Sequence, residues 1–591
     1  MRFFSTLLAS VLGSFIAFGL LFVVGGMIMA GLIASTVSTS DPSIASESVL
    51  VLSLSGPINE LGTSDPLYEL LDVPQPQGLN QIQSALEHAA TDDRIEAVWL
   101  KPQGIITGWA TLVEIRESLL EFKKSGKPLI ASTSGDLAMR EPDYFLATAA
   151  DSVYGPPRAF FEFNGFYLGV NFYKGLLDKL NIEPTVLRVG TYKGGIEPYT
   201  REDLSDENRA QLKVIVDQWN DLMTSTVADA RNLTQEEVQQ LMQSGTLFTT
   251  EDALQYGLLD GLLQSEHVDR LIAKWIDSDE DLNTVSLAHY YPSTTGGPSD
   301  SDGTIGIMNA SGVIISGSSN ELNGYLGASS FQKSMEKFRE DDRVKAVVLR
   351  IDSPGGSATA SEAMWQSVRE TSDVKPVIVS MGDLAASGGY WLATAGDTIV
   401  ASHHTLTGSI GVYGMHFSLG QMLETKLGIT SDHVTTSDYA DMLSGMRPLR
   451  PAERAMFERS LSETYDKFLE RVSENRMMTT DAVHAVAQGR VWTGSDALEA
   501  GLVDELGNLD DAIRIAAHKA GLEDGRYRVK RLPQPETLVD QYLDLLLTRI
   551  RTTFESPVET MIRKEARLVD EAIQLQGIPI ARMPLEVKTA H

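Results

Sequence analysis

The residues best suited to chemistry are a serine and two glycine pairs in the second half of the chain. Ser387 stands among small residues in the segment 385–390 (AASGGY), and the segment 352–356 (DSPGG) follows the preceding strand-like run. Small neighbours suit a nucleophile exposed at the start of a helix. A glycine pair after a strand lets main-chain N–H groups turn towards a ligand, because no Cβ blocks the approach. Each segment taken alone is better explained as a tight turn.

The first half of the chain offers a base for such a serine. Lys193 lies among glycines and a tyrosine in the segment 190–195 (GTYKGG). A lysine is most often a solvated surface charge. Burial disfavours its ammonium form and lowers its pKa by several units, which makes it a workable general base near neutral pH. A serine activated in this way needs no histidine.

The chain repeats itself with a period of about 247 residues, and such a repeat decides how the motifs are interpreted. The segment 92–98 (DDRIEAV) returns as 341–347 (DDRVKAV). Three further matches follow in the same order: 135–138 (GDLA) with 382–385 (GDLA), 146–149 (LATA) with 392–395 (LATA), and 257–260 (GLLD) with 501–504 (GLVD). The sequence therefore predicts two homologous domains.

The boundaries of these domains follow from composition. We expect the first domain at 46–295 and the second at 300–535, joined by a linker rich in Pro, Gly and Ser. The last stretch, 536–591, carries leucines at helical spacing and is predicted to form a helical tail packed on the body. Within each domain, short apolar runs alternate with amphipathic stretches, which predicts an α/β fold with parallel sheets.

The two copies have lost different halves of a site. At the position of Ser387 the first copy carries Arg140, and at the position of Lys193 the second copy carries Ala440. Complementary loss is expected if one composite site survives, with the lysine from the first copy and the serine from the second. Because a short linker holds the two copies at high effective concentration, we expect both residues to come from the same chain.

The N-terminus predicts a membrane anchor in residues 1–45. No charged residue stands between Arg2 and Asp41, and the stretch 7–33 is almost wholly apolar. That length exceeds the roughly 20 residues that span a bilayer and the 7–15 apolar residues of a secretory signal. A cleaved signal is the alternative. The single arginine before the span places the two domains on the extracytoplasmic (periplasmic) side of the cytoplasmic membrane.

Composition excludes several classes of function. A formal charge of −31 argues against nucleic acid as a partner, because the attraction to phosphate is missing. The chain has no cysteine, so thiolate nucleophiles and cysteine-ligated zinc are excluded. His403 and His404 have no carboxylate at ligand spacing and are interpreted as loop residues. We expect neither a metal nor a cofactor.

Several motifs together resemble those of the signal peptide peptidase A family, also called protease IV, in its long two-repeat form. They cover nearly the whole chain to about residue 535 and comprise Tyr192-Lys193, Glu197-Pro198, 353–356 (SPGG), 386–390 (ASGGY) and 407–412 (TGSIGV). The resemblance implies two tandem domains of the Clp-protease/crotonase fold, built from repeated ββα units. It also implies a homotetrameric bowl on the membrane that digests signal peptides left after protein secretion.

The same resemblance assigns a role to each site residue. Ser387 would be the nucleophile and Lys193 the general base and acid. Ser409 would orient the lysine by a hydrogen bond, and the N–H groups of Gly356 and Gly388 would stabilise the oxyanion. Two rival functions remain: a non-enzymatic membrane scaffold, and an acyl-CoA-handling relative on the crotonase fold.

Overall fold

The computed structural model describes residues 44–62, 75–245, 248–276, 282–294, 301–320, 324–534 and 580–582. Within these ranges no helix is both long and apolar enough to cross a lipid bilayer. The anchor predicted in residues 1–45 lies outside the described residues, apart from its last two positions. The helical tail predicted for 536–591 also lies outside them, except at Ile580–Arg582, which form a strand where a helix was predicted.

The first repeat is built around a parallel sheet. The strands of this repeat are β1 (Ser48–Asn59), β2 (Gln77–Gly78), β3 (Ile95–Ile106), β4 (Leu129–Ser132), β5 (Leu137–Met139), β6 (Ser152–Gly155), β7 (Phe160–Phe161), β8 (Glu183–Val189), β9 (Gly261–Leu262) and β10 (Asn283–Ser286). Its helices are α1 (Leu79–Thr91), α2 (Trp109–Lys123), α3 (Glu141–Ala147), α4 (Lys174–Leu180), α5 (Glu197–Thr200), α6 (Asp206–Arg231), α7 (Gln235–Ser244), α8 (Thr250–Gln255), α9 (Ser265–Trp275) and α10 (Leu287–Tyr290). The strand order along the sheet is β10-β1-β3-β4-β6-β9.

The second repeat follows the same plan. Its strands are β11 (Gly303–Ser311), β12 (Val313–Ile315), β13 (Tyr325–Gly327), β14 (Val344–Ser353), β15 (Gly355–Ser357), β16 (Val377–Ala386), β17 (Thr398–Ala401), β18 (Leu406–Gly408), β19 (Val412–Ser418), β20 (Val491–Thr493), β21 (Glu505–Leu506) and β22 (Tyr527–Leu532), and the tail adds β23 (Ile580–Arg582). Its helices are α11 (Ala328–Glu340), α12 (Ala358–Ser372), α13 (Gly388–Ala393), α14 (Gly420–Leu427), α15 (Pro451–Arg476), α16 (Thr480–Val486), α17 (Gly494–Glu499) and α18 (Leu509–Lys519). The order β22-β11-β14-β16 matches β10-β1-β3-β4 of the first repeat, so the sequence prediction of an α/β fold is confirmed.

Each sheet is covered on both faces, which explains the continuous apolar runs of its central strands. In β3, Val98 and Leu100 face the main core of the first repeat, whereas Trp99 packs against α9 on the opposite face. In β14, Leu349 faces the main core of the second repeat and Val348 packs against α18. Alternating side chains of one strand thus pack against helices on opposite faces of the sheet.

The repeat is visible in individual buried hydrogen bonds. The hydroxyl of Tyr144 donates to the carbonyl of Leu258 at 2.6 Å, and that of Tyr390 donates to the carbonyl of Leu502 at 2.7 Å. Two further pairs of contacts repeat in the same way: Lys127 to Ala89 with Lys375 to Phe338, and Arg231 to Asp260 with Arg476 to Asp504. Equivalent bonds at equivalent places indicate that the two halves share one architecture.

The repeats are joined by a strand that crosses between them. Strand β8 of the first repeat pairs antiparallel with β19 of the second, in a sheet with the order β13-β12-β15-β23-β19-β8. The main cores also meet, because Ala386, Leu406 and Val491 of the second repeat pack into the core of the first. Residues far apart in the sequence are therefore brought together at this junction.

Candidate active site

Ser387 occupies a strained turn between β16 and α13. Its backbone has φ 56° and ψ −112°, in a region that residues other than glycine rarely adopt, and its side chain is fully buried. Its N–H donates to the carbonyl of Gly408 at 2.8 Å, which helps to hold the turn. Arg140, at the equivalent place before α3, has an ordinary extended backbone with φ −110°. The strained turn therefore belongs to the second copy alone.

Lys193 is held just beyond the end of β8, before the short 3₁₀ turn Gly194–Ile196. Its side chain is fully buried, so it is not a solvated surface lysine. Gly489 of the second repeat lies so close that a Cβ at that position would stand 2.7 Å from the Cβ of Lys193. By contrast, Ala440, at the offset position of the second repeat, is exposed in a loop.

The three predicted side chains of the site meet around the lysine nitrogen. Nζ of Lys193 lies 2.7 Å from Oγ of Ser387, 2.7 Å from the carbonyl oxygen of Ser409 and 3.0 Å from Oγ of Ser409. A neutral lysine amine has two hydrogens and one lone pair. If the hydrogens go to the two acceptors of Ser409, the lone pair is left for the hydroxyl proton of Ser387. This geometry would allow the amine of Lys193 to act as a base towards the hydroxyl of Ser387.

Burial also sets the protonation of the lysine. Desolvation lowers the pKa of Lys193 well below its ordinary value of 10.5, because burial disfavours the charged ammonium form. The charged groups near its main chain are Arg188, whose Nη1 donates to the carbonyl of Lys193 at 3.4 Å, and Glu197 beyond it. The lowered pKa favours the neutral amine, which is the form that can accept a proton.

The two predicted oxyanion glycines flank the serine. Gly388 is the first residue of α13, and the N–H groups of the first helical turn have no partner within the helix. Gly356 lies on β15, beside Ile314 of β12, and any side chain there would collide with the Ile314 carbonyl. Strand β14, which leads to β15, pairs with the serine strand β16 through Ser353 and Ala385. Both glycines therefore lie on segments adjoining Ser387.

A strand from the tail covers one side of this region. Strand β23 runs antiparallel to β15, pairing Ala581 with Gly356, and its other edge pairs with Tyr413 of β19. The backbone edge beside Gly356 thus accepts an extended segment of polypeptide. This is how proteins that recognise peptides by strand addition hold their ligands.

Sequence reasoning missed the polar residues that hold the lysine segment. The buried carboxylate of Glu197 accepts hydrogen bonds from Nδ2 of Asn208 at 2.6 Å and from the N–H of Ser205 at 3.1 Å. Gln211 joins the repeats, because its Nε2 donates to the carbonyl of Tyr192 and its Oε1 accepts from the N–H of Val491. Only Glu197 left a signal in the sequence, as part of a family motif.

Comparison with known proteins agrees with this description. The model of peptidase family S49 matches residues 121–277 and 369–523, one segment in each repeat. The chloroplastic serine protease SPPA of Arabidopsis thaliana is 34% identical over 473 residues, which cover 79% of this chain and 69% of the relative. Protease 4 of Salmonella typhi is 33% identical over 518 residues, covering 86% and 82% respectively. Protease 4 of Haemophilus influenzae is 32% identical over 503 residues, covering 80% and 79%. The prediction from the sequence motifs is confirmed at this level, and the chain belongs to the serine proteases of peptidase family S49.

Proposed function

We propose that this protein is a membrane-anchored endopeptidase that cleaves peptide bonds with a Ser387–Lys193 dyad. The observation that carries the proposal is the 2.7 Å separation of Nζ and Oγ, between two side chains that are fully buried and come from different repeats. A chance contact would not require a strained backbone at the serine and close packing of a glycine against the lysine.

The chemistry starts with transfer of a proton from Oγ of Ser387 to the neutral amine of Lys193. The oxygen then attacks the carbonyl carbon of the scissile peptide bond, and the carbonyl oxygen becomes an oxyanion. The N–H groups of Gly356 and Gly388 stabilise this charge, and each such donor is worth roughly 3–4 kcal/mol in the transition state. Ser409 holds the amine so that its lone pair keeps facing the serine.

The same lysine completes both halves of the reaction. Its ammonium form gives a proton to the leaving amine, and the C–N bond breaks to leave an ester on Ser387. The lysine, neutral again, then takes a proton from water, and the hydroxide attacks the ester. The carboxylic acid leaves, the proton returns to Oγ, and the dyad is restored without a metal or a cofactor.

The substrate binds as an extended strand. The edge of β15 beside Gly356 already pairs with a strand of polypeptide, so a peptide in the same place would lay its backbone across the oxyanion glycine. Signal peptides are short apolar segments released in the membrane, and the apolar stretch 7–33 would keep the enzyme at that surface. The proposal includes the Clp-protease/crotonase fold, a homotetrameric bowl and an extracytoplasmic location.

The test combines an active-site probe with peptide hydrolysis. A fluorophosphonate should label the full chain in detergent, and replacing Ser387 by Ala should abolish both labelling and cleavage of a model signal peptide. Lys193→Met, which keeps the apolar stem but not the amine, should also be inactive. Cleavage by Lys193→Met at the wild-type rate would contradict the dyad. A chain that binds signal peptides without cleaving them would support the scaffold function.

A further inference from the structure

The strand that leads into Ser387 carries a carboxylate that reaches into the other repeat. Asp383, on β16, accepts hydrogen bonds from the N–H of Gly108 at 2.9 Å, from the N–H of Thr111 at 2.8 Å and from Oγ1 of Thr111 at 2.7 Å. These donors form the first turn of α2 in the first repeat. Gly108 stands at the N-cap and has no side chain to accept them. Asp383 therefore caps this helix from the other repeat.

A second buried contact fixes the same helix. Arg350, on β14 beside β16, is fully buried, and its Nη2 lies 2.8 Å from Oε1 of Glu114 on α2 and 2.9 Å from Oε1 of Glu60. Its Nη1 donates to Oγ of Ser380 on the serine strand at 3.0 Å. A buried arginine with this many partners holds them in one geometry, because the planar guanidinium fixes the directions of its donors.

The helix capped by Asp383 is connected to the lysine segment. Trp109 is the first residue of α2, and its ring packs against that of Trp219 on α6 with centroids 6.4 Å apart. The same helix α6 carries Gln211, which donates to the carbonyl of Tyr192, the residue before Lys193. A continuous path of one capped turn, one ring pair and one hydrogen bond of 3.4 Å therefore leads from the serine strand to the segment that carries the lysine.

We propose that Asp383 is a positioning residue for the reaction: by capping α2 across the junction of the repeats, it holds Lys193 at hydrogen-bond distance from Ser387. This inference rests on the proposed dyad and assigns a role to a residue outside it. The carboxylate of Asp383 accepts hydrogen bonds from Thr107, Gly108 and Thr111, so we assign it a role in positioning and not in proton transfer. Its effect is on the distance between base and nucleophile, to which catalytic rates are very sensitive.

The first repeat contains a natural control for this residue. Asp136 occupies the same position in the duplicated motif 135–138 (GDLA), but it is exposed. Replacing Asp136 by Ala removes the same chemical group from the same motif without touching the cap of α2. Asp383→Asn keeps an acceptor oxygen of nearly the same reach. Thr111→Val keeps the size of the partner while removing the hydroxyl that donates to Asp383.

The experiment measures peptide hydrolysis by the full chain, with active sites counted by complete fluorophosphonate labelling. For Asp383→Ala we expect kcat per labelled site to fall between about ten- and a hundred-fold, with KM changed less than twofold. The acidic limb of the rate profile should also move to higher pH, because a loosened Lys193 is hydrated and its pKa rises towards the ordinary value. A residue needed only for folding would reduce the number of sites and leave both quantities unchanged.

We expect the loss of kcat to differ among the variants. Asp136→Ala should behave as wild type, and Thr111→Val should shift kcat and the acidic limb in the same direction as Asp383→Ala by a smaller amount. Asp383→Asn should recover only part of the loss, because it keeps one acceptor oxygen and turns the other into an NH2 group that faces a main-chain N–H. If Asp383→Ala does not fold, Thr111→Val carries the test. Wild-type kcat per site and an unshifted acidic limb in the variants that fold would overturn the proposal. Failure of the dyad itself would appear separately, as activity in Lys193→Met.

Discussion

Val189 of the first repeat is paired with Val412 of the second across the antiparallel strands β8 and β19. Lys193 follows β8 and Ser409 precedes β19. The pairing of these two strands therefore brings Nζ of Lys193 within hydrogen-bond distance of Oγ of Ser409. The contact between Lys193 and Ser409 thus depends on a strand of the first repeat that pairs with a strand of the second.

Removing either member of the dyad should abolish activity to the same extent as removing both. Ser387→Ala and Lys193→Ala each eliminate proton transfer and attack, so the double variant should be no slower than the single ones. Hydrolysis of a model peptide by the three folded variants is the measurement. Arg140→Ala, at the equivalent place in the first repeat, is the matched control and should be nearly as active as wild type. Losses that add up in the double variant would contradict a shared step.

Activity should rise with pH through the depressed pKa of Lys193. Only the neutral amine accepts the proton of Ser387, so the enzyme is inactive below that pKa and active above it. Ser409→Ala removes one hydrogen-bond acceptor that favours the ammonium form, so the acidic limb should move to lower pH while kcat falls by up to about tenfold. A rate profile that is flat from acid to alkaline pH would show that no lysine base is involved.

Stability should fall as the pH rises, owing to the buried carboxyl of Glu114. Burial, opposed by Arg350, raises its pKa from 4.5 to about 7, and burial also raises the pKa of Asp352 well above its ordinary value. A carboxyl with a raised pKa binds more protons in the folded state, so its stabilising effect is present below pH 4.5 and is lost as the pH rises through about 7. The titratable groups that surround Arg350 and Glu114 are Glu60, Asp352, Asp383, Asp510 and Arg531.

Denaturant unfolding at several pH values checks this effect. The free energy of unfolding of the wild type relative to Glu114→Gln should decrease between pH 5 and pH 8, because glutamine cannot titrate. A difference between the two proteins that stays constant across this range would mean that Glu114 is ionised throughout. Glu121→Gln is the control, since this residue lies on the exposed face of the same helix.

Shortening the tail should strengthen substrate binding. Strand β23 occupies the edge of β15 on which we expect the substrate to bind, so the tail and the substrate compete. Deleting residues 580–591 should lower KM for a model peptide and leave kcat unchanged. Deleting residues 583–591 keeps β23 and is the matched control. An unchanged KM after the longer deletion would show that the substrate does not bind at the edge of β15.

Much of this arrangement could be predicted from the sequence, because each position of one repeat can be compared with the equivalent position of the other. The proximity of Lys193 and Ser387 followed from which half of the site each copy had lost. The cap that Asp383 provides could not be predicted, since Asp136 stands in an identical motif and only the tertiary structure distinguishes them. Strand β23 could not be predicted either, because its partners are supplied by distant strands rather than by its own residue pattern.

The most direct test of the composite site asks whether one chain supplies both halves. Lys193→Ala and Ser387→Ala chains, carrying different affinity tags, are co-expressed, and mixed oligomers are isolated through both tags. Because Nζ and Oγ meet within a single chain, every chain in the mixture lacks one half of its site, and we predict no peptidase activity. Mixed oligomers of wild-type and Ser387→Ala chains serve as the control and should retain activity in proportion to the wild-type chains. Recovery of a substantial fraction of wild-type activity in the first mixture would show that the dyad is shared between chains, contrary to this structure.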